Sequence, residues 1–142
     1  MNVAALRAIM RHRLNRTDEA WHSLYSDADG LHFAFVSRDN GLLYRSSPAG
    51  INGVIEPEND EDIQKAVTEI QRTIAFVTNQ FKGVSAGLMV LSGAIAAVHD
   101  VVRAVESSIG LRVETVNVYE QCGLDSPLAP GFEPALGLCM YD

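Results

Sequence analysis

Apolar positions set the first boundaries. Ile63, Val67, Ile70, Ile74, Val77 and Phe81 recur at alternating steps of four and three, which lays one stripe along a helix. Gly83 ends that helix. Leu88-Met89-Val90-Leu91 is an unbroken apolar run, as expected of a strand buried on both faces. Ser92-Gly93-Ala94 makes a tight turn. A second helix carries Ile95, Val98, Val102, Val105 and Ile109 on one face, with Gly110 as its C-terminal stop. Arg112 to Tyr119 reads as a strand through Val113, Val116 and Val118. Strand, helix and strand within about 30 residues form a βαβ unit, parallel and right-handed.

Upstream the period changes to two. Leu31, Phe33 and Phe35 alternate with His32, Ala34 and Val36, which is strand spacing. Asn40-Gly41 takes the hairpin position, because a type I′ turn needs positive φ at both central residues. Leu42-Leu43-Tyr44-Arg45 returns as the next strand. An earlier strand runs around Trp21 to Tyr25, with a turn at Asp27 to Gly30, so the segment reads as a three-strand antiparallel meander. Ser47 to Asn59 is a loop with Pro48, Gly50, Gly53 and Pro57. The acids Glu56, Glu58, Asp60, Glu61 and Asp62 fit a metal cluster or a helix start. The helix start explains them better, since acids favour the positive end of the macrodipole and Asn59 or Asp60 can cap it. The predicted class is α/β: a three-strand antiparallel meander, then a parallel βαβ ladder, in one mixed sheet covered by helices.

Composition narrows the setting. The chain has 142 residues, 47% hydrophobic and 20% charged, enough for one domain with a core and unlike a disordered chain. Its net charge is −7, unsuited to non-specific nucleic-acid binding. The aromatic residues do not lie on a basic strand surface, which argues against an RNA-binding sheet. The charge is uneven. Residues 1–16 hold Arg7, Arg11, Arg13 and Arg16 and no acid, +4, against −11 on residues 17–142. We divide the chain there: a basic N-terminal helix over 1–16 and a single α/β domain over 17–142. The helix has an apolar stripe, Val3, Leu6, Met10 and Leu14, that suits docking on the body. Its charge also suits an acidic partner or an anionic membrane surface.

Cys122 and Cys139 are too few for a disulfide scaffold, and free thiols, a redox pair and a packing role all remain open. They sit in a loop-rich end marked by Gly123, Pro127, Pro130, Gly131, Pro134 and Gly137, where a short last helix can start at Glu133. The start of the chain lacks the apolar core of a secretory signal. The most apolar stretch, Gly87 to Val102, is interrupted by Ser92, Gly93, His99 and Asp100 and is too short to span a bilayer. The expected protein is soluble and cytoplasmic, peripheral to an inner membrane if the basic helix touches one. His12, His22, His32 and His99 lack metal-ligand spacing. No Walker A, GxGxxG, GxSxG or HExxH motif occurs, so no catalytic residue and no metal ligand is assigned.

The element order is the βββαβαβ(α) of one half of the actin-like fold, related to the RNase H-like fold. The segments "LMVLSGAIAAVHDVVRAVESSIGLRVETVNVYE", "EPALGLCMYD" and "EIQRTIAFV" resemble the C-terminal part of actin-like type IV pilus assembly proteins of the PilM/FtsA group. That resemblance implies a cytoplasmic assembly component that works through protein contacts. A complete family member has two halves and binds ATP between them, and this chain has room for one. The family's phosphate hairpin reads D-x-G-x-x-T or S. Here Asp27-Ala28-Asp29-Gly30-Leu31-His32 puts Asp29 where glycine is wanted. The family's adenosine turn, G-G-x, falls on Ser92, Gly93 and Ala94, the candidate cofactor-binding residues, although a tight strand-to-helix turn needs small residues in any case. Two functions follow from the resemblance. One is a non-catalytic scaffold or adaptor that binds a partner protein or itself. The other is an ATP-binding half-domain completed by another chain. An unrelated small α/β regulatory or binding domain is a third reading, and strand order decides that question.

Overall fold

The computed structural model describes residues 20–27, 29–37, 40–48 and 60–116. The basic segment 1–16, most of the 47–59 loop, Cys122, Cys139 and the final helix expected from Glu133 lie outside the described residues. The elements are β1 (Ala20–Asp27), β2 (Gly30–Ser37), β3 (Asn40–Ser47), α1 (Asp60–Gln80), β4 (Ala86–Gly93), a 3₁₀ turn (Ala94–Ala97), α2 (His99–Ile109) and β5 (Arg112–Val116). The sheet order is β3-β2-β1-β4-β5. The first three strands are antiparallel neighbours, and β1-β4 and β4-β5 are parallel. A meander on one side of β1 and the βαβ strands on the other is the mixed sheet expected above.

Alternation along the strands assigns the faces. Leu24, Leu31, Phe33, Met89 and Leu91 meet Ile63, Val67 and Ile70 of α1 and Val101 and Val105 of α2 in one core cluster. The acids Asp60, Glu61 and Asp62 sit in the first turn of α1, as the helix-start reading has them, while Glu56, Glu58 and Asn59 lie outside the described residues. Polar contacts pin α1 to the edge strand. Arg45 donates to Thr73 Oγ1 at 3.2 Å, and Ser47 donates to Glu69 Oε2 at 3.1 Å. The other face of the sheet carries Trp21, Tyr25, His32, Ala34, Val90 and Ser92, which are buried as well. β1 is therefore covered on both faces.

Two local expectations are corrected. Asn40-Gly41 is not the hairpin turn. Ser37 pairs with Asn40, and Asn40 and Gly41 belong to β3. The pairing shifts between Phe35 and Val36, so that Leu43 opposes Phe35 and Arg45 opposes Phe33. A turn centred on Asn40-Gly41 would put Ser46 opposite Phe35, and register follows the buried face over the local turn preference. The second helix is also not continuous with the turn before it. Val98 is extended at φ −102° and ψ 98° between the 3₁₀ turn and α2. Ile95 and Val98 still pack on the core, because a 3₁₀ turn places residues i and i+3 on one side. The Gly110 stop stands, in the left-handed region at φ 67°.

His22 lies on the helix-covered face of β1, and burial lowers its imidazole from the ordinary 6.5 to about 4. Unfolding returns the ring to water, so between those values the unfolded chain binds the extra proton. Stability that depends on the neutral ring is complete above pH 6.5 and is lost as pH falls toward 4. Urea titrations of the native protein and His22→Leu across that window should diverge. The native chain should lose on the order of 3 kcal/mol more than the variant, at about 1.36 kcal/mol per unit of pKa. Parallel stability curves would reject the assignment.

Candidate functional site

Open α/β sheets bind ligands outside the carboxyl ends of their parallel strands. Here that edge joins the ends of β1 and β4, where Tyr25 pairs with Ser92 and Ser26 with Gly93. The three candidate cofactor residues therefore lie beside the β1–β2 hairpin. Gly93 has φ 75°. A Cβ there would stand 2.2 Å from the Ser26 carbonyl oxygen and 2.8 Å from the Tyr25 ring. Internal packing alone thus demands glycine at this position. Ser92 is fully buried, and its hydroxyl has no hydrogen-bond partner among the described residues. The Ser26 hydroxyl is likewise buried without one. Alternation puts Ser26 on the helix-covered face with Leu24 and puts Ser92 on the opposite face with Tyr25, so the two hydroxyls do not converge. Ala94 is exposed at the start of the 3₁₀ turn.

The hairpin has its own network. Asp27 Oδ1 accepts from the Asp29 backbone N–H at 2.8 Å and lies 2.9 Å from His32 Nε2. His32 Nδ1 lies 2.8 Å from Ser46 Oγ. An ionised carboxylate only accepts, so Nε2 carries the proton and donates to Asp27. In the neutral ring Nδ1 then accepts from the Ser46 hydroxyl. The Tyr25 ring stacks on His32 at 6.0 Å. Strand register extends this into a row across four strands: Ser46, His32, Tyr25 and Ser92.

These contacts bear on the phosphate-hairpin comparison. The Asp29 amide, which a phosphate-binding loop would offer to its ligand, is engaged by the Asp27 side chain. Gly30, at φ 133°, lies against β3, where a Cβ would meet the Ser47 carbonyl oxygen at 2.4 Å. The sequence located this turn but missed His32 and Ser46 as a pair. They are 14 residues apart and meet only through the β2–β3 register. The Ser46–His32–Asp27 order places a hydroxyl, a base and a carboxylate in series, and Ser46 is the exposed end. The chain links β1, β2 and β3 at the hairpin end of the sheet. Among the described residues no group of three or more His, Cys, Asp or Glu side chains is arranged to hold a metal. No described helix is long and apolar enough to cross a membrane.

Two substitution series test this geometry by urea unfolding. Gly93→Ala should cost at least about 2 kcal/mol, from positive φ and the clash together. Gly87→Ala, whose Cβ would meet nothing within 4 Å, should stay within about 0.5 kcal/mol of the native protein. A Gly93 cost no larger than the Gly87 cost would refute the packing account. In the hairpin, His32→Leu should cost roughly 1–3 kcal/mol by leaving Asp27 and Ser46 without their shared partner. Ser46→Ala should cost less, about 0.5–1.5 kcal/mol, since its hydroxyl reaches water.

No family model matches the sequence, and no curated protein matches it. Solved structures do. The chain is similar to a PilM-PilN type IV pilus biogenesis complex with TM-score 0.67 at 16% identity, over 96% of this chain and 50% of that one. The ethanolamine utilization protein EutJ from Carboxydothermus hydrogenoformans gives TM-score 0.49 at 14% identity, over 99% of this chain and 53% of that one. An exopolyphosphatase from Cytophaga hutchinsonii gives TM-score 0.49 at 11% identity, over 69% of this chain and 34% of that one. The chain thus spans about half the length of the pilus-complex protein it matches. With the meander on one side of β1 and the parallel βαβ strands on the other, the chain has the fold of one half of an actin-like protein.

Proposed function

We propose that this chain is a scaffold or adaptor domain that works through protein–protein contacts in a pilus or secretion-type assembly. The observation that carries the reading is the match along 96% of the chain to a protein of a PilM-PilN complex. The hairpin supports it. Asp29 adds a negative charge where the ATP-binding pattern has glycine, and its amide is already engaged. In the sheet of the described residues, β3 and β5 are the edge strands, and open edges favour cover by a partner or a second copy. The basic 1–16 segment, +4 against −11 on the rest, suits an acidic partner surface or an anionic membrane. On this reading the protein works at the cytoplasmic side of an inner membrane and needs no cofactor of its own.

A second reading is an ATP half-site at Ser92, Gly93 and Ala94, completed by another chain. It draws on the position of the turn at the carboxyl ends of β1 and β4. The contacts of Gly93 with Ser26 and Tyr25 weaken it, because they account for the glycine without a nucleotide.

Light scattering at micromolar concentration and a thermal shift with millimolar ATP-Mg separate the two. The adaptor reading expects an assembly larger than a monomer and no ATP-dependent shift. A monodisperse monomer stabilised by ATP-Mg, by about 2.7 kcal/mol at a hundredfold excess over Kd, would replace it with the nucleotide reading.

A further inference from the structure

We propose that a cleft at the amino end of the parallel strands binds a small, uncharged aromatic molecule bearing one hydroxyl or N–H group, with His22 as its polar anchor. The cleft has a volume of about 410 Å³ and lies between the end of α1 and the starts of β1 and β4. His22, Phe35, Ile74, Val77, Phe81 and Leu111 form much of its wall. From Gly93 it is separated by most of the length of β1, about 20 Å at 3.3 Å per residue. It is therefore distinct from the carboxyl-end site.

His22 is the feature that points to a ligand. It is 6% exposed, as is His32. Both ring nitrogens of His32 are hydrogen-bonded. His22 has only a ring contact, with Phe35 at 4.9 Å, and no hydrogen bond among the described residues. Among the described residues the hydroxyls of Ser26 and Ser92 are the side-chain polar atoms sealed from solvent without a partner, so the polar edge of His22 is served by solvent in the cleft, where a ligand group can take the place of water. Because burial keeps this ring neutral, it presents one N–H donor and one bare nitrogen acceptor. The wall has two hydroxyl side chains: Thr78 Oγ1 donates to the Ile74 carbonyl at 2.9 Å, and Ser85 is exposed at the mouth.

The walls define the chemical class. No charged side chain lines the cleft among the described residues, and a neutral imidazole has no charge to offer, so an ionic ligand would lose hydration without compensation. Phe35 and Phe81 stand 5.6 Å apart at 44° and supply an aromatic wall for a ring to pack on. The volume exceeds the roughly 150 Å³ that holds one benzene and falls within the usual range for ligand sites. Register shifts in both flanking pairings, between Ala20 and His22 against β4 and between Phe35 and Val36 against β3, fall beside the cleft. Such bulges re-aim side chains at binding sites.

Titration of the isotope-labelled full chain at neutral pH, followed by NMR, tests this with p-cresol, indole, toluene, benzoate and benzylamine. Saturable shifts at His22, Phe35, Phe81 and Leu111 are expected with p-cresol and indole. Toluene, which lacks the polar group, should bind about fivefold more weakly, the value of one ordinary hydrogen bond. Benzoate and benzylamine should not bind. His22→Leu should abolish the preference for p-cresol over toluene. Thr78→Trp, at an exposed position on the rim, should block both without touching the core. Equal affinity for p-cresol and toluene in the native protein, binding of the charged probes, or shifts that map elsewhere would each overturn the proposal.

Discussion

The structure depends on β1 being paired on both edges and buried on both faces. β2 joins it antiparallel through a short turn, and β4 joins it parallel. A parallel neighbour requires a crossover, which α1 supplies, and that crossover must cover one face of the sheet. The order of the sheet follows from these two connections. So does the burial of Trp21 through Ser26, which forces the polar residues of β1 to find partners or go without them.

The two ends of β1 meet that demand differently. At the carboxyl end, Asp27 takes up both the hairpin amide and His32, and Ser46 completes the series. Gly93 lets β4 pass close against Ser26 and Tyr25. This end is internally satisfied apart from two buried hydroxyls, and its glycines are set by backbone approach. At the amino end, His22 borders an uncharged aromatic cleft and has no hydrogen bond among the described residues. Two histidines of equal exposure thus have opposite states. One locks a hairpin. The other is a neutral ring that borders the cleft and has no hydrogen bond among the described residues.

This division bears on function. Open α/β sheets bind ligands at the strand carboxyl ends, and in this chain the Asp29 amide and the Gly93 backbone at that edge are engaged by internal contacts. The edge strands β3 and β5 of the described sheet and the cleft at its amino end are the surfaces these contacts leave open. Tyr44 on β3 and Phe76 on α1 are the large apolar side chains left exposed among the described residues.

Periodicity in the sequence was enough to set out the strands, the two helices, the mixed character of the sheet and the position of the Ser92–Ala94 turn. Those features are local, because alternation of two or of three and four is written in adjacent residues. The Asn40-Gly41 turn failed because the β2–β3 register answers to Leu43 and Arg45 meeting the buried face, and a turn dipeptide carries no information about that. The Val98 break was hidden because the apolar stripe continues across it. The His32 network and the setting of His22 had no sequence signal. The partners of His32 lie on the neighbouring strands, five and 14 residues away, and only the pairing register brings them together. The sequence by itself determined which segments fold and which faces they bury. Only the tertiary structure decided which buried polar groups are satisfied, because that depends on the register between strands.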